Sequence, residues 1–300
     1  MTREHVSICI CSFKRPHLLR RTLDNLRELT TDGLFDYSIV VADNDRAESA
    51  RSTVEDFART TAINVTYCVE PEQNISLARN KALEFARGDL IAWIDDDEYP
   101  DRDWLLILYR ALRQFNTDGV LGPVLPSFSG TPPEWLVKSG LCDRASFPSG
   151  TAMTDSRYMR TGNVLVTRRL FESSPAPFDP ALGLSGGEDA DFFERMLSAG
   201  RRFVWCQEAA VHEEVPEDRQ TPKYLISRAF IRGVTSADQE PALGVGTMKS
   251  LAALLLYSLS LPVLRVAGYH LFMRYLVRDC DHLAKLLAHC GIRLVGKRMF

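Results

Sequence analysis

Four short β-rich apolar runs, Val6–Cys11, Ser38–Ala42, Asn64–Val69 and Leu90–Ile94, alternate with segments of helical character. Leu19, Leu23, Leu26 and Leu29 recur at helical spacing after Pro16, a residue suited to a first helical turn. Residues 47–59 read as a polar surface helix. Leu77–Arg87 reads as a helix that Ser76 can cap and Gly88 can end, and 101–115 as an amphipathic helix with Trp104, Leu105, Leu108 and Leu112 on one side. Such alternation predicts βαβ units and a mostly parallel sheet. Sheets of this kind take ligands beyond the carboxyl ends of their strands. The acidic clusters 43–45 and 95–98 both fall at those ends, although they are far apart in sequence.

Beyond Val120–Leu125 the alternation stops. Residues 126–157 are rich in Pro, Gly and Ser, as in a functional loop. Thr161–Thr167 reads as a strand, Gly183–Gly187 leads into a helix over Glu188–Ala199, and Arg202–Cys206 and Ala209–Val211 read as short strands. From Pro222 onward the chain reads as helical.

With 45% hydrophobic and 25% charged residues, the 300-residue chain is an ordinary globular one, which excludes disordered, collagen-like and disulfide-scaffold classes. A net charge of −3 argues against nucleic acid as a partner. The seven cysteines form no C-x-x-C pair and read as reduced thiols of a cytosolic protein, with Cys9 and Cys11 on one side of a strand. The N-terminal residues carry no apolar stretch of the signal-peptide kind. The longest uncharged run, Ser250–Leu264, is shorter than the ~20 residues expected of a spanning helix.

Asp95-Asp96-Asp97-Glu98 follows an apolar strand directly. A charge run is ordinarily a solvated turn, but its place after a buried strand favours a cation site. Mg²⁺ and Mn²⁺ take one or two carboxylates together with phosphate oxygens, and Asp95 and Asp97 share one side of an extended chain. Gly186-Gly187-Glu188-Asp189 places acids in a first helical turn, where the dipole favours anions and the glycines permit close approach of a substrate. A carboxylate there can accept a proton from an attacking hydroxyl. Asp43 ends the second strand, where it can bond a base or ribose. Arg79 carries a fork suited to phosphate or a base carbonyl, with a surface ion pair as its other reading. His212 follows a strand and can either complete a metal shell or serve structure. Trp135 is the aromatic best placed to stack on a sugar.

Six segments together resemble the family-2 glycosyltransferases with a GT-A fold: Ser12–Pro16, Val40–Asp45, Asn74–Asn80, Trp93–Glu98, Thr161–Leu165 and Gly186–Phe192. Bacterial exopolysaccharide enzymes of the succinoglycan glucosyltransferase type are the nearest in pattern, over roughly residues 5–235. The resemblance implies an α/β GT-A domain over 1–235, Rossmann-like, with its mostly parallel central sheet flanked by helices. Residues 1–125 would be its nucleotide-sugar half and 126–235 its acceptor half, followed by a C-terminal helical extension over 236–300. It implies that Ser12, Arg15, Asp43, Asp45, Arg79, Asp95 and Asp96 bind the nucleotide-sugar. Asp97, with Asp95 and His212, would hold Mg²⁺ or Mn²⁺. Asp189 would be the general base with Glu188 beside it, and Trp135, Gly186 and Gly187 would meet the acceptor. The implied reaction is an inverting transfer of a hexose, such as glucose from UDP-glucose, to a saccharide hydroxyl on a polyprenyl-linked acceptor. A sugar nucleotidyltransferase is the first rival, although Ser12–Pro16 is no Gly-rich phosphate loop. An inactive sugar-nucleotide binder at a membrane surface is the second.

The near-neutral total conceals an uneven distribution. From Lys249 to the C-terminus there are eight Lys and Arg against two acids, a net of +6, which leaves −9 on the preceding 248 residues. This basic, apolar tail reads as an interfacial helical segment making peripheral contact at the inner face of the bacterial plasma membrane, or else as a helical cap or an oligomer contact.

Overall fold

A computed structural model describes residues 3–172, 174–184 and 186–293; Ser185 and the end of the expected basic tail, 294–300, lie outside the described residues. Strands β1 (Glu4–Ser12), β2 (Phe35–Asp43), β3 (Asn64–Val69) and β4 (Leu90–Ile94) stand where the apolar runs predict them. They alternate with α1 (Pro16–Leu26), α2 (Arg51–Arg59) and α3 (Ile75–Phe85). Next come β5 (Glu98–Pro100), α4 (Trp104–Phe115), β6 (Gly119–Leu121), β7 (Val124–Phe128), α5 (Glu134–Ser139), β8 (Ala152–Met153) and β9 (Asn163–Thr167). The chain closes with α6 (Glu188–Ser198), β10 (Phe203–Trp205), β11 (Val211–Val215), α7 (Pro222–Gln239), α8 (Val245–Ala267) and α9 (Tyr269–His289).

The chain forms two compact units. Residues up to 125 together with 144–213 make one, and 126–143 together with 214 onward make the other. The expected boundary at 235 therefore falls inside the second unit. Periodicity locates an apolar helix face but not its partner, and the partner of α7 proves to be α5 and α9.

The first unit is built on an eight-stranded sheet of order β3-β2-β1-β4-β9-β6-β10-β8. β1, β2, β3 and β4 are parallel neighbours, β10 is parallel to β6, and β9 runs antiparallel between β4 and β6. Strand alternation sorts side chains into two layers. Val6, Ile8 and Ile10 join Leu19, Leu23, Val54, Phe57 and Leu108 from α1, α2 and α4. Cys9, Val40 and Trp93 join Ala82 of α3 and Phe192 and Phe193 of α6, with Cys11 packed on the same side as Cys9. A one-residue slip would exchange the two sets, so both layers fix the register.

Helix α3 differs from expectation at its start. The Asn74 side-chain oxygen accepts hydrogen bonds from the N–H groups of Ser76 (3.0 Å) and Leu77 (3.2 Å), so Asn74 and not Ser76 is the cap. The helix ends at Phe85 because Ala86 is already extended, two residues before Gly88. The last short strand runs over Val211–Val215 rather than 209–211; its pairing with β5 sets His212 opposite Tyr99 and Glu213 opposite Glu98. Its polar residues carry no apolar signal in the sequence.

In the second unit, Leu136 of α5, Leu225 and Ala229 of α7 and Met273 and Val277 of α9 form a core. Helix α8 runs 23 residues and takes in Lys249 and Arg265 at its ends. By length and composition it is long and apolar enough to cross a membrane, and it extends beyond the uncharged run at both ends.

Candidate active site

β1 and β2 end in register at Ser12 and Asp43, and β4 delivers Asp95 beside them. The Ser12 hydroxyl donates to Asp96 Oδ2 (2.9 Å). Arg15 Nη1 donates to Asp97 Oδ2 (2.6 Å) and to Asp96 Oδ1 (3.3 Å). The four acids do not continue as an extended chain. The Glu98 N–H donates to the Asp95 carbonyl (3.2 Å), which closes a turn that Thr22 Oγ1 fastens from α1 by donating to the Glu98 carbonyl (2.6 Å). The turn sends Asp96 toward Ser12 and Arg15, and of the like charges Asp97 acts most strongly on Asp95.

Burial, followed by the charge of Asp97, pushes Asp95 up to about 6. Burial, opposed by Arg15 and by the Ser12 hydrogen bond, leaves Asp96 at about 7. Glu98 is raised well above the usual carboxylate range, first by burial and then by Asp95. Its Oε1 is buried without a hydrogen-bond partner, and a Cβ at Gly162 would come within 2.7 Å of it. A crowded set of buried carboxylates with too few cations fits a divalent ion, and hard oxygen donors fit Mg²⁺ or Mn²⁺. Among the described residues no three His, Cys, Asp or Glu side chains form a ligand cluster by themselves. One or two carboxylates completed by diphosphate oxygens match that count.

Arg79, inside the first turns of α3, forms a buried ion pair with Glu188 at the start of α6. Its guanidinium also lies 5.5 Å from the Phe178 ring centre. Burial opposes its charge, whereas Glu188, Asp189 and Asp95 together hold it firmly protonated. Asp189 is buried and acts on both Arg79 and Asp95. The structure thus brings Arg79, Asp95, Glu188 and Asp189 together, with Arg79 and Glu188 109 residues apart in sequence. Gly186 and Gly187 approach α6 with φ of +81° and +102°, a left-handed turn that a side chain would strain.

Other expected residues take more structural places. Asp43 Oδ2 accepts from Ala50 N–H (2.7 Å) and Tyr67 O–H (2.9 Å), and Oδ1 from Asp45 N–H (3.1 Å). Asp45 Oδ1 in turn accepts from Ala47 N–H (3.1 Å), so both acids shape the turn after β2. The His212 ring stacks on Tyr99 at 5.3 Å and faces Asp101 at 3.7 Å. Among the described residues it forms no ligand cluster with Asp95 and Asp97, and its neighbour Glu213 pairs with Arg144. Trp135, in the second unit, meets Tyr269 edge to face at 5.6 Å.

Arg144 escaped the sequence reading. It pairs with Glu213 and lies 3.8 Å from Glu98 Oε1, and so brings a cation to the acidic turn. In the sequence Asn163 stands out only as part of the Thr161–Leu165 segment. It accepts from Trp104 Nε1 (2.8 Å) and donates to the carbonyls of Pro123 (2.9 Å) and Ala209 (2.7 Å), locking β9 behind the site.

Residues 7–175 match the model of glycosyl transferase family 2. The chain belongs to this family. Among curated relatives, it is 37% identical over 234 residues to the succinoglycan biosynthesis protein ExoM of Rhizobium meliloti, covering 77% of this chain and 74% of that protein. It is 26% identical over 243 residues to a glucosyl-dolichyl phosphate glucuronosyltransferase of Haloferax volcanii, covering 76% and 74%. The crystal structure of S. aureus TarS 1-349 in complex with UDP-GlcNAc superposes with a TM-score of 0.57 at 13% identity, over 96% of this chain and 92% of that one. That likeness shows the GT-A-like α/β fold.

Proposed function

We propose that this family-2 glycosyltransferase moves a hexose from a UDP-sugar, such as UDP-glucose, to a hydroxyl of a polyprenyl-linked saccharide, with inversion, during exopolysaccharide synthesis at the inner face of the plasma membrane. The convergence of Arg79, Asp95, Glu188 and Asp189 at the strand ends carries the reading. The similarity to ExoM supports the pathway class, and the glucuronosyltransferase relative, whose name pairs glucose with dolichyl phosphate, supports a lipid-linked acceptor.

Asp95 and Asp97 are the carboxylates that would hold Mg²⁺ or Mn²⁺, which when bound supplies Lewis-acid stabilisation of charge on the leaving diphosphate. Ser12 and Arg15 hold Asp96 and Asp97 in their turn. Arg79 offers its guanidinium to the base or the diphosphate. Asp189 accepts the proton of the acceptor hydroxyl as that oxygen bonds to the anomeric carbon. The bond from that carbon to the diphosphate oxygen breaks on the opposite face, and UDP leaves with the electron pair. Glu188 orients the acceptor from the next position on α6.

Asp189→Asn should lower transfer by about 10²–10⁴-fold, the range for a lost general base, with donor affinity nearly unchanged. The assay uses labelled UDP-sugars, Mn²⁺ and a lipid extract, with donor binding followed by calorimetry. Equal loss of binding and transfer would sink the base assignment, and release of pyrophosphate in place of UDP would replace the reading with nucleotidyl transfer.

A further inference from the structure

Helix α8 turns apolar residues outward, where a water-soluble helix turns polar ones. Its inner face lies along α9: Thr247 Oγ1 is 3.3 Å from His289 Nε2, Ser258 Oγ donates to Asp279 Oδ2 (3.0 Å), and Tyr257 meets Tyr275 at 5.3 Å between ring centres. The outward stripe is Met248, Leu251, Leu255, Leu259, Val263 and Val266, with Leu259 79% and Val266 90% exposed. An amphipathic helix packed on a protein normally turns charge outward. Here the outward charges are confined to the ends, at Lys249 and Arg265.

Aromatic groups gather at one of those ends. The Arg265 guanidinium lies 5.2 Å from the Tyr269 ring centre and 5.9 Å from that of Phe272, and Trp135 meets Tyr269 from α5. A purely aliphatic centre with cations at both ends and aromatic rings beside one matches the layering of a bilayer surface: acyl chains, then headgroups, then anionic charge. A protein partner would call for aromatic or Arg anchors in the middle of the patch, and the stripe has none there.

We propose that α8 is a lipid-embedded helix that lies in the plane of an anionic membrane, its Met248–Val266 stripe in the acyl region and Lys249 and Arg265 at the headgroups. A spanning arrangement conflicts with the packing. The side of α8 that faces α9 meets a helix bearing Arg274, Arg278, Asp279, Asp281 and Lys285, of which Asp279 and Lys285 are buried, and Asp281 is tied to Arg232 of α7 at 3.3 Å. Carrying those charges into hydrocarbon is strongly unfavourable. The inference gives the membrane location proposed above a definite surface, and it stands apart from the reaction chemistry.

The test uses the full chain and vesicles of phosphatidylcholine with or without phosphatidylglycerol, free of donor and acceptor. Failure here therefore leaves the glycosyl-transfer reading standing, and failure of transfer leaves this one standing. The wild-type chain should float with the anionic vesicles. Leu255→Gln with Leu259→Gln should bind about a hundredfold more weakly at unchanged thermal midpoint, since each leucine withdrawn from hydrocarbon is worth about a decade. Lys249→Glu with Arg265→Glu should remove the preference for anionic vesicles. On a Cys290→Ser background, Leu251→Cys, Leu255→Cys, Leu259→Cys and Val263→Cys, taken singly and carrying an environment-sensitive fluorophore, should report equal depth. Graded depth along the helix would overturn the lying arrangement. A vesicle-independent dimer with no flotation would show that a second copy covers the stripe and would overturn the proposal altogether.

Discussion

Arg79 and Glu188 show how one ion pair serves both fold and site. Both side chains are buried, so each needs the other's charge to offset lost hydration, and the pair fastens α3 to α6. Glu188→Ala should destabilise the chain by about 3 kcal/mol, the lower end for a broken buried pair, because Asp189 and Asp95 still face the guanidinium. Urea denaturation measures it, and a loss under about 1 kcal/mol would mean that the pair is solvated and adds little. The cysteines make a second residue-level prediction. Burial pushes the Cys68 thiol up to about 12 and raises Cys9 and Cys11 as well, whereas Cys290 is exposed. Only the thiolate reacts with a disulfide reagent. At pH 8 Cys290 should therefore be labelled first, and Cys9, Cys11 and Cys68 only after denaturation, as mass spectrometry of the labelled peptides would show. Early labelling at Cys9 would contradict the packing of β1.

At the scale of elements, α3 separates what the sequence makes legible from what it does not. Its existence follows from local pattern. Its cap does not, because Asn74 and Ser76 are both good capping residues and only the fold supplies the Pro180 carbonyl to which Asn74 Nδ2 donates at 2.9 Å. Asn74→Ala should therefore cost about 2 kcal/mol, a cap together with a second hydrogen bond, and Ser76→Ala less than about 0.5 kcal/mol. Denaturation midpoints of the two variants decide it; equal costs would return the cap to Ser76. The acidic site divides in the same way. Asp95–Asp97, Arg79 and Asp189 are legible because their chemistry is concentrated in short motifs beside strong strand and helix signals. Arg144 is not: it sits in a Pro-, Gly- and Ser-rich stretch and meets Glu213 across 69 residues. Glu98 is visible as one of four acids, but its burial follows from the turn that the Asp95 carbonyl closes.

For the whole molecule, the uneven charge and the two compact units express one division of labour with different boundaries. The strongly acidic part of the sequence supplies the strand-end site of the first unit, whose sheet is covered by two apolar layers. The basic C-terminal region belongs to the second unit, whose buried core is the small cluster of Leu136, Leu225, Ala229, Met273 and Val277. Composition exposes the charge split, but it cannot show that 126–143 leaves the sheet to join the C-terminal helices, since that grouping depends on which helix faces meet. Stability follows buried apolar area, so the smaller core should open at lower free energy. Hydrogen exchange followed by mass spectrometry should find amides of α7 and α9 exchanging before those of β1, β2 and β4 as denaturant rises. Unfolding should then depart from two-state behaviour, with a calorimetric enthalpy larger than the van't Hoff value. If every amide shared a single opening free energy, the units would unfold as one and the division by cores would have no thermodynamic counterpart.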